Sequence, residues 1–473
     1  MAKKEPTVSW QVLLDDAHWE QDAIAPGLPD PDASQRRSWH VPRRWLIVGG
    51  LLAAAVVGAV GIFLWQRAQR GLALMEEEIA AAVRLESTAQ TQRSPQLAAA
   101  LLDPAADGEW RGRMVDDLLA DDSAPPAAAV EQVELVEGVA LVRLSIIDPD
   151  QPLPSRVIRF YRDAPSGWLR TAPVASFWGA AEEWRGSHFV FRYRQRDREA
   201  VLLAAPQVES VYQQLRGKLG LPLLPTYKTV VVQPDDRPLS FDFPSGELRQ
   251  PSPHLLNLPD TISHENALFR SLIFYQINEL VRESFDRYGY GRAWMWSNLT
   301  ESALRNWLQM ESGVVEIDGQ LLFPWLLGGE AAEGGFPTGV AEECQLMETL
   351  GVQVLLLTCK SDIQNAQPRD LSALGLSRLV TTYDFDFSQD ANAGNSPSGS
   401  LWRAESRQEI VAATTLYLYA VETYGIERFP PLLEALGDYR GWYEALPAAY
   451  GIPPEAFEVG WRVWLSRRFE AGE

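Results

Sequence analysis

Asn278-Glu279-Leu280-Val281-Arg282, followed after eighteen further residues by Glu301, bears most directly on chemistry in this chain. On a helix, positions i and i+4 share a face, so two imidazoles at 278 and 282 would converge on one ion. A Glu just after the first of them would reach the metal-bound water as general base. The chain keeps Glu279 and Glu301 but carries Asn278 and Arg282 in place of the imidazoles. An amide oxygen is a poor zinc ligand and a guanidinium repels the metal, so no metal is assigned. Arg282 is suited instead to pair with Glu279 or Glu301. Glu279 then has two readings, a vestigial general base or a structural carboxylate paired with Arg282.

Other residues that could carry chemistry give weaker patterns. His188, His254 and His264 have no second His at ligand spacing. Cys344 and Cys359 match no thiol-enzyme signature and stand as either a disulfide or two buried thiols. Asp384, Asp386 and Asp390 are spaced like calcium ligands, but the turn Gly and closing Glu of a calcium loop are missing. Asn298-Leu299-Thr300 matches a glycosylation sequon on the approach to a helix and carries no weight.

The elements that must position the frame belong to a chain of 473 residues, 46% hydrophobic and 10% aromatic, a globular composition with room for several domains. A net charge of −21 excludes a nucleic-acid partner, because no basic surplus exists to displace phosphate counterions. Residues 1–44 carry Pro, Asp and Ser clusters and read as a disordered tail. Trp45 to Trp65 holds 21 residues without a charge, enough at 1.5 Å each to span a hydrocarbon core of about 30 Å. Arg36, Arg37, Arg43 and Arg44 precede it, while Glu76, Glu77 and Glu78 follow soon after. The expectation is an uncleaved single-pass anchor in the cell membrane, N-terminus cytoplasmic and the rest extracytoplasmic.

After the span, Leu72 to Gln90 has helical periodicity and a second helix is expected around Met114 to Leu119. Strand-like runs follow at Val133–Ile147, with a turn at Glu137-Gly138, at Arg156–Tyr161 and at Gly167–Trp178. This order, helices first and then a curled antiparallel sheet, resembles the NTF2-like superfamily over residues 71–180. The resemblance implies an α+β cone serving as a spacer or binding module.

A second resemblance covers residues 185–470. The strand from Ser187 to Tyr193, a helix from Arg198 to Leu219, the strand Thr229–Gln233, the frame helices and an aromatic-rich helical end follow one another. That end comprises Ala412–Tyr424, Gly425, Leu432–Leu436, Trp442–Leu446, Phe457 and Trp461…Trp464-Leu465. Together they resemble the peptidase-MA-like (gluzincin, thermolysin-clan) family, which implies a mainly helical domain with a small N-terminal sheet. The family's active members are zinc-dependent peptide hydrolases, and only Glu279 (base) and Glu301 (third ligand) match their pattern. The expected fold class is α+β throughout. The expected role is a membrane-anchored, catalytically degenerate peptidase-like protein that binds a peptide or protein partner. Its alternatives are an architectural envelope protein and a metallopeptidase with altered ligands.

Overall fold

The computed structural model describes residues 43–120, 126–148, 153–224, 227–235, 237, 239–288, 294–314, 345–346, 349–350, 375–376, 404–439 and 441–469. Cys344, Cys359, Asp384, Asp386 and Asp390 lie outside them, as do residues 1–42. Contacts divide the chain after Leu72, into residues 1–72 and 73–473.

Pro42 and Pro95 bracket a proline-free run, and one helix fills most of it: α1, Arg43–Thr91. Side chains of α1 are described from Gly58 onward, so most of the Trp45–Trp65 run lies outside the described side chains. Among the described residues no helix is long and apolar enough to cross a membrane. Val60, Ile62, Phe63, Leu64 and Trp65 are all exposed.

In the second unit the architecture is α+β, helices and sheets first and a mainly helical part afterwards. Helix α2 (Pro95–Ala100) starts on a proline at its first turn, with the Ser94 hydroxyl accepting from the Leu97 N–H at 3.3 Å. Helix α3 is Gly108–Ala120. Strands β1 (Ala127–Val136), β2 (Val139–Ile147), β3 (Ser155–Ala164) and β4 (Gly167–Thr171) form an antiparallel meander. The two-residue turn Glu137-Gly138 has φ of 51° and 79°, the mirror-image geometry that matches strand twist in a tight hairpin. The expected strand from Gly167 to Trp178 stops at Thr171, since Pro173 cannot donate to a ladder; Ala175–Trp178 is a 3-10 turn.

Alternation along β2 splits the core in two. Ala140, Val142, Leu144 and Ile146 pack on Met75, Ile79 and Val83 of α1, while Val139 and Leu141 face Ile158, Phe160 and Trp178. Beside the first cluster, α1 sends Glu86 into the sheet. The buried carboxylate accepts from Arg159 at 2.7 Å and from the Tyr161 hydroxyl at 2.9 Å, and Arg170 lies 3.5 Å away. Burial, then the Glu86 charge, pushes the Tyr161 phenol well above its ordinary range.

The second sheet has five strands among the described residues. Strands β5 (Ala181–Arg185) and β6 (Phe189–Arg194) are antiparallel, α4 (Arg198–Lys218) crosses over, and β7 (Lys228–Gln233) returns parallel to β6. Strand β8 (Ser240–Asp242) then forms a hairpin with β9 (Glu247–Pro251), which runs parallel to β7. The two-residue β10 (Leu258–Pro259) pairs back with β3, so the first sheet borrows a strand from the second half. From there the chain enters α5 (His264–Tyr288) and α6 (Trp294–Glu311). The end is helical: α7 (Ala404–Tyr424), α8 (Phe429–Asp438), α9 (Trp442–Tyr450) and α10 (Pro454–Phe469). One core joins these helices to α4–α6 and the second sheet, around Tyr212, Leu272, Trp307, Leu416, Phe429 and Trp461.

The Glu86 cluster gives the first test. Glu86→Ala leaves two guanidinium groups without their buried carboxylate and should cost about 3 kcal/mol, read from the urea midpoint of the full chain in detergent. A loss below about 0.5 kcal/mol would mean that the cluster is hydrated and contributes little.

Candidate functional site: a guanidinium-closed frame

Helix α5 buries Leu268, Leu272, Ile273, Ile277, Leu280 and Val281 on one side, and this fixes what the other side presents. Asn278 and Arg282 are exposed and Glu279 is half-buried. The i/i+4 geometry expected of the frame is therefore present, and α6 brings Glu301 beside it.

What joins the frame is an arginine. Arg305, one turn after Glu301 on α6, donates from Nε to Asn278 Oδ1 at 2.9 Å and from a terminal nitrogen to Glu301 Oε1 at 2.5 Å. Arg282 donates to Glu279 Oε2 at 2.8 Å. Of the two partners open to Arg282 in the sequence it takes Glu279, because the i,i+3 geometry on its own helix is already met. Glu301 is served by Arg305.

This donor set does not fit zinc. It offers an amide oxygen and two carboxylates, each carboxylate already accepting from a guanidinium, and a metal would have to displace or approach two fixed positive charges. Among the described residues there is no group of three His, Cys, Asp or Glu that could hold a metal ion.

A second row of polar groups lies on the same helix, at Gln276, Glu279 and Glu283. Lys228, at the start of β7, donates to Gln276 Oε1 at 2.7 Å and sits 5.0 Å from the centre of the Tyr212 ring. Burial pulls its ammonium down to about 8, against the pull of Glu279 and Glu283 in the other direction. Arg216 of α4 has no exposed surface. It forks onto both oxygens of Glu283 at 2.6 Å each, and its Nε donates to the Pro222 carbonyl at 2.8 Å.

Glu279 thus stands between a lysine and an arginine, with its charge matched rather than aimed at a water or a substrate carbonyl. The arrangement suits holding a polar ligand by displaced or shared ion pairs. An open cleft of about 810 Å³ lies elsewhere, where β6 and β7 end against α3. Trp110, Tyr193, Arg192, Arg237, Glu183 and Asp235 line it, and no frame residue does.

The remaining candidates are dispersed. His188 lies by Tyr212, with ring centres 5.8 Å apart, while His254 and His264 face each other at 4.0 Å. The side chain of Asn298 lies outside the described residues. Arg305, Arg216 and Lys228 are missing from the sequence reading. The i+4 spacing of Arg305 from Glu301 was the one signal available; nothing local marks Lys228 or Arg216. No protein-family model, curated protein or solved structure matches the chain.

Lys228 sets a pH dependence with a defined sign. Its folded-state value lies below the 10.5 of an exposed amine, so the unfolded chain holds more protons between about 8 and 10.5 and stability rises with pH across that window. In Lys228→Met that rise should shrink by about 2 kcal/mol, measured as urea midpoints of both proteins across the window. Equal slopes would mean that the amine is solvated.

Proposed function

We propose that this chain is a single-pass membrane protein whose extracytoplasmic part pairs an NTF2-like cone with a degenerate peptidase-MA-like domain. That domain binds a peptide or protein partner and does not cut it. The carrying observation is the Arg305 guanidinium, which joins Asn278 to Glu301 where a hydrolase of this pattern would hold zinc. A positive group supplied by the protein itself keeps the two helices together and leaves the frame without a Lewis acid.

The order of elements supports the family reading. A parallel β6–α4–β7 crossover, a frame helix, a following helix with Glu301 and a closing helical set stand in the expected succession. The order α1–α3 then β1–β4 likewise suits the cone. For the membrane anchor the support is the uncharged run itself, the unbroken helix through it, and a row of exposed apolar side chains from Val60 to Trp65. The orientation follows from the arginines before the run and the acidic cluster after it.

Two measurements on the full chain in membranes test this reading. Metal analysis should find no stoichiometric zinc; zinc bound at one equivalent and lost in Glu301→Ala would favour a metallopeptidase with altered ligands instead. A photo-crosslinking side chain at Arg282 should give a discrete adduct that a control at the exposed Val459 does not, and Glu279→Gln with Arg305→Ala should reduce its yield about tenfold, the equivalent of one lost charged contact. No adduct at either position would favour the architectural role.

A further inference from the structure

The segment Ser252–His264 leaves the second sheet, pairs with the first through β10 and becomes α5, so it carries the connection between both sheets and the frame helix. Ser252 anchors its start: the hydroxyl donates to Asp197 Oδ1 at 2.6 Å and accepts from Trp178 Nε1 at 3.1 Å. Leu255 packs into the cluster of Phe160 and Trp178. Between these contacts the His254 and His264 rings stand 4.0 Å apart, centre to centre, and His254 Nε2 lies 3.3 Å from the Arg196 carbonyl.

The surroundings of that pair disfavour positive charge. His264 is the first residue of a 25-residue helix, where the helix dipole opposes a cation. Arg196 and Arg143 face it from the 3-10 turn before α4 and from β2, and Arg196 is held in place over the Phe177 ring at 3.9 Å. Glu265 on α5 and Glu199 on α4 act in the opposite sense on His264, and Glu134 of β1 and Asp197 offset Arg196. From β3, Arg156, Arg159 and Arg162 are each paired, with Glu131 and Asp260, with Glu86 and with Asp103.

We propose that the His254–His264 pair is an acid-responsive latch, closed while both rings are neutral and released when both are protonated, which frees Ser252–His264 from the two sheets and loosens the start of α5. Burial first, then His264 and Arg196, pushes His254 down to about 3, and burial lowers His264 as well. Both folded-state values lie below the ordinary 6.5, so the unfolded or released segment binds more protons. The closed state is fully stable above about pH 6.5 and weakens as the pH falls toward 3. Asp197 opposes this: burial raises it to about 6, so its ionisation penalty is relieved on acidification. Two imidazoles against one carboxylate leave a net loss in acid.

Hydrogen exchange on the full chain in detergent tests the latch, independently of whether the frame binds a partner. After correction for intrinsic rates, amides of 254–268 in the native chain should exchange about tenfold faster at about pH 5 than at about pH 7.5, while α7 stays unchanged. In His254→Phe the segment should stay within about twofold at both values. Equal protection of the native segment at both values, or equal opening in the variant, would overturn the proposal. Exchange of the imidazole C2 hydrogens in the native chain reads each histidine directly and needs no variant to fold. His254 titrating at the ordinary imidazole value would overturn the proposal too; titration well below it supports the latch.

Discussion

A guanidinium taken out of water must find its partners inside the protein, and Arg216 is the place where this chain meets that demand most fully. Its side chain has no exposed surface, and its fork is met by Glu283 from α5 and by the Pro222 carbonyl from the turn after α4. Those two contacts hold α5 against α4 in the rotation that burial of its apolar side requires. With that rotation fixed, Leu280 and Val281 go inward, Gln276 comes within reach of Lys228, and Asn278, Glu279 and Arg282 are left on the open face. The frame's orientation is thus secured by groups that take no part in it, the apolar side of α5 and Arg216.

The same economy explains the centre of the site. A zinc ion held by two imidazoles and a carboxylate ties one helix to the next through a positive charge. Here Arg305 supplies the positive charge and the directed bonds, reaching Asn278 on α5 and Glu301 on its own helix. The α5–α6 tie is thus made by a guanidinium, which brings no Lewis acidity. Arginine suits the task better than lysine would, since its planar fork reaches an amide oxygen and a carboxylate at once.

How much of this could be read from residues alone depended on how local each signal was. The part of α1 from Leu72 to Gln90 follows from 3.6-residue periodicity, and the hairpin at Glu137-Gly138 from turn chemistry, both within a few residues of sequence. The Arg282–Glu279 pair was equally local. Arg216–Glu283, Lys228–Gln276 and His254–His264 are not: each joins groups from different elements or opposite ends of a loop, and only the crossover of α4 and the detour through β10 bring them together. Glu86 meeting Arg159 across 73 residues is a further case.

The Glu86 cluster also bears on what the first sheet can do. A concave sheet face lined by polar groups invites a ligand when it is empty. In this chain α1 fills the position with its own carboxylate, and Arg159, Tyr161 and Arg170 are turned inward to satisfy it. A ligand entering there would have to replace a buried carboxylate and reproduce its bonds, at a cost of several kcal/mol. The frame face differs: Arg282 is exposed and its bond to Glu279 is one of the cheap surface kind, so an incoming polar group displaces it at little loss. An incoming polar group is therefore accommodated at lower cost on the open face of α5 than at the Glu86 cluster.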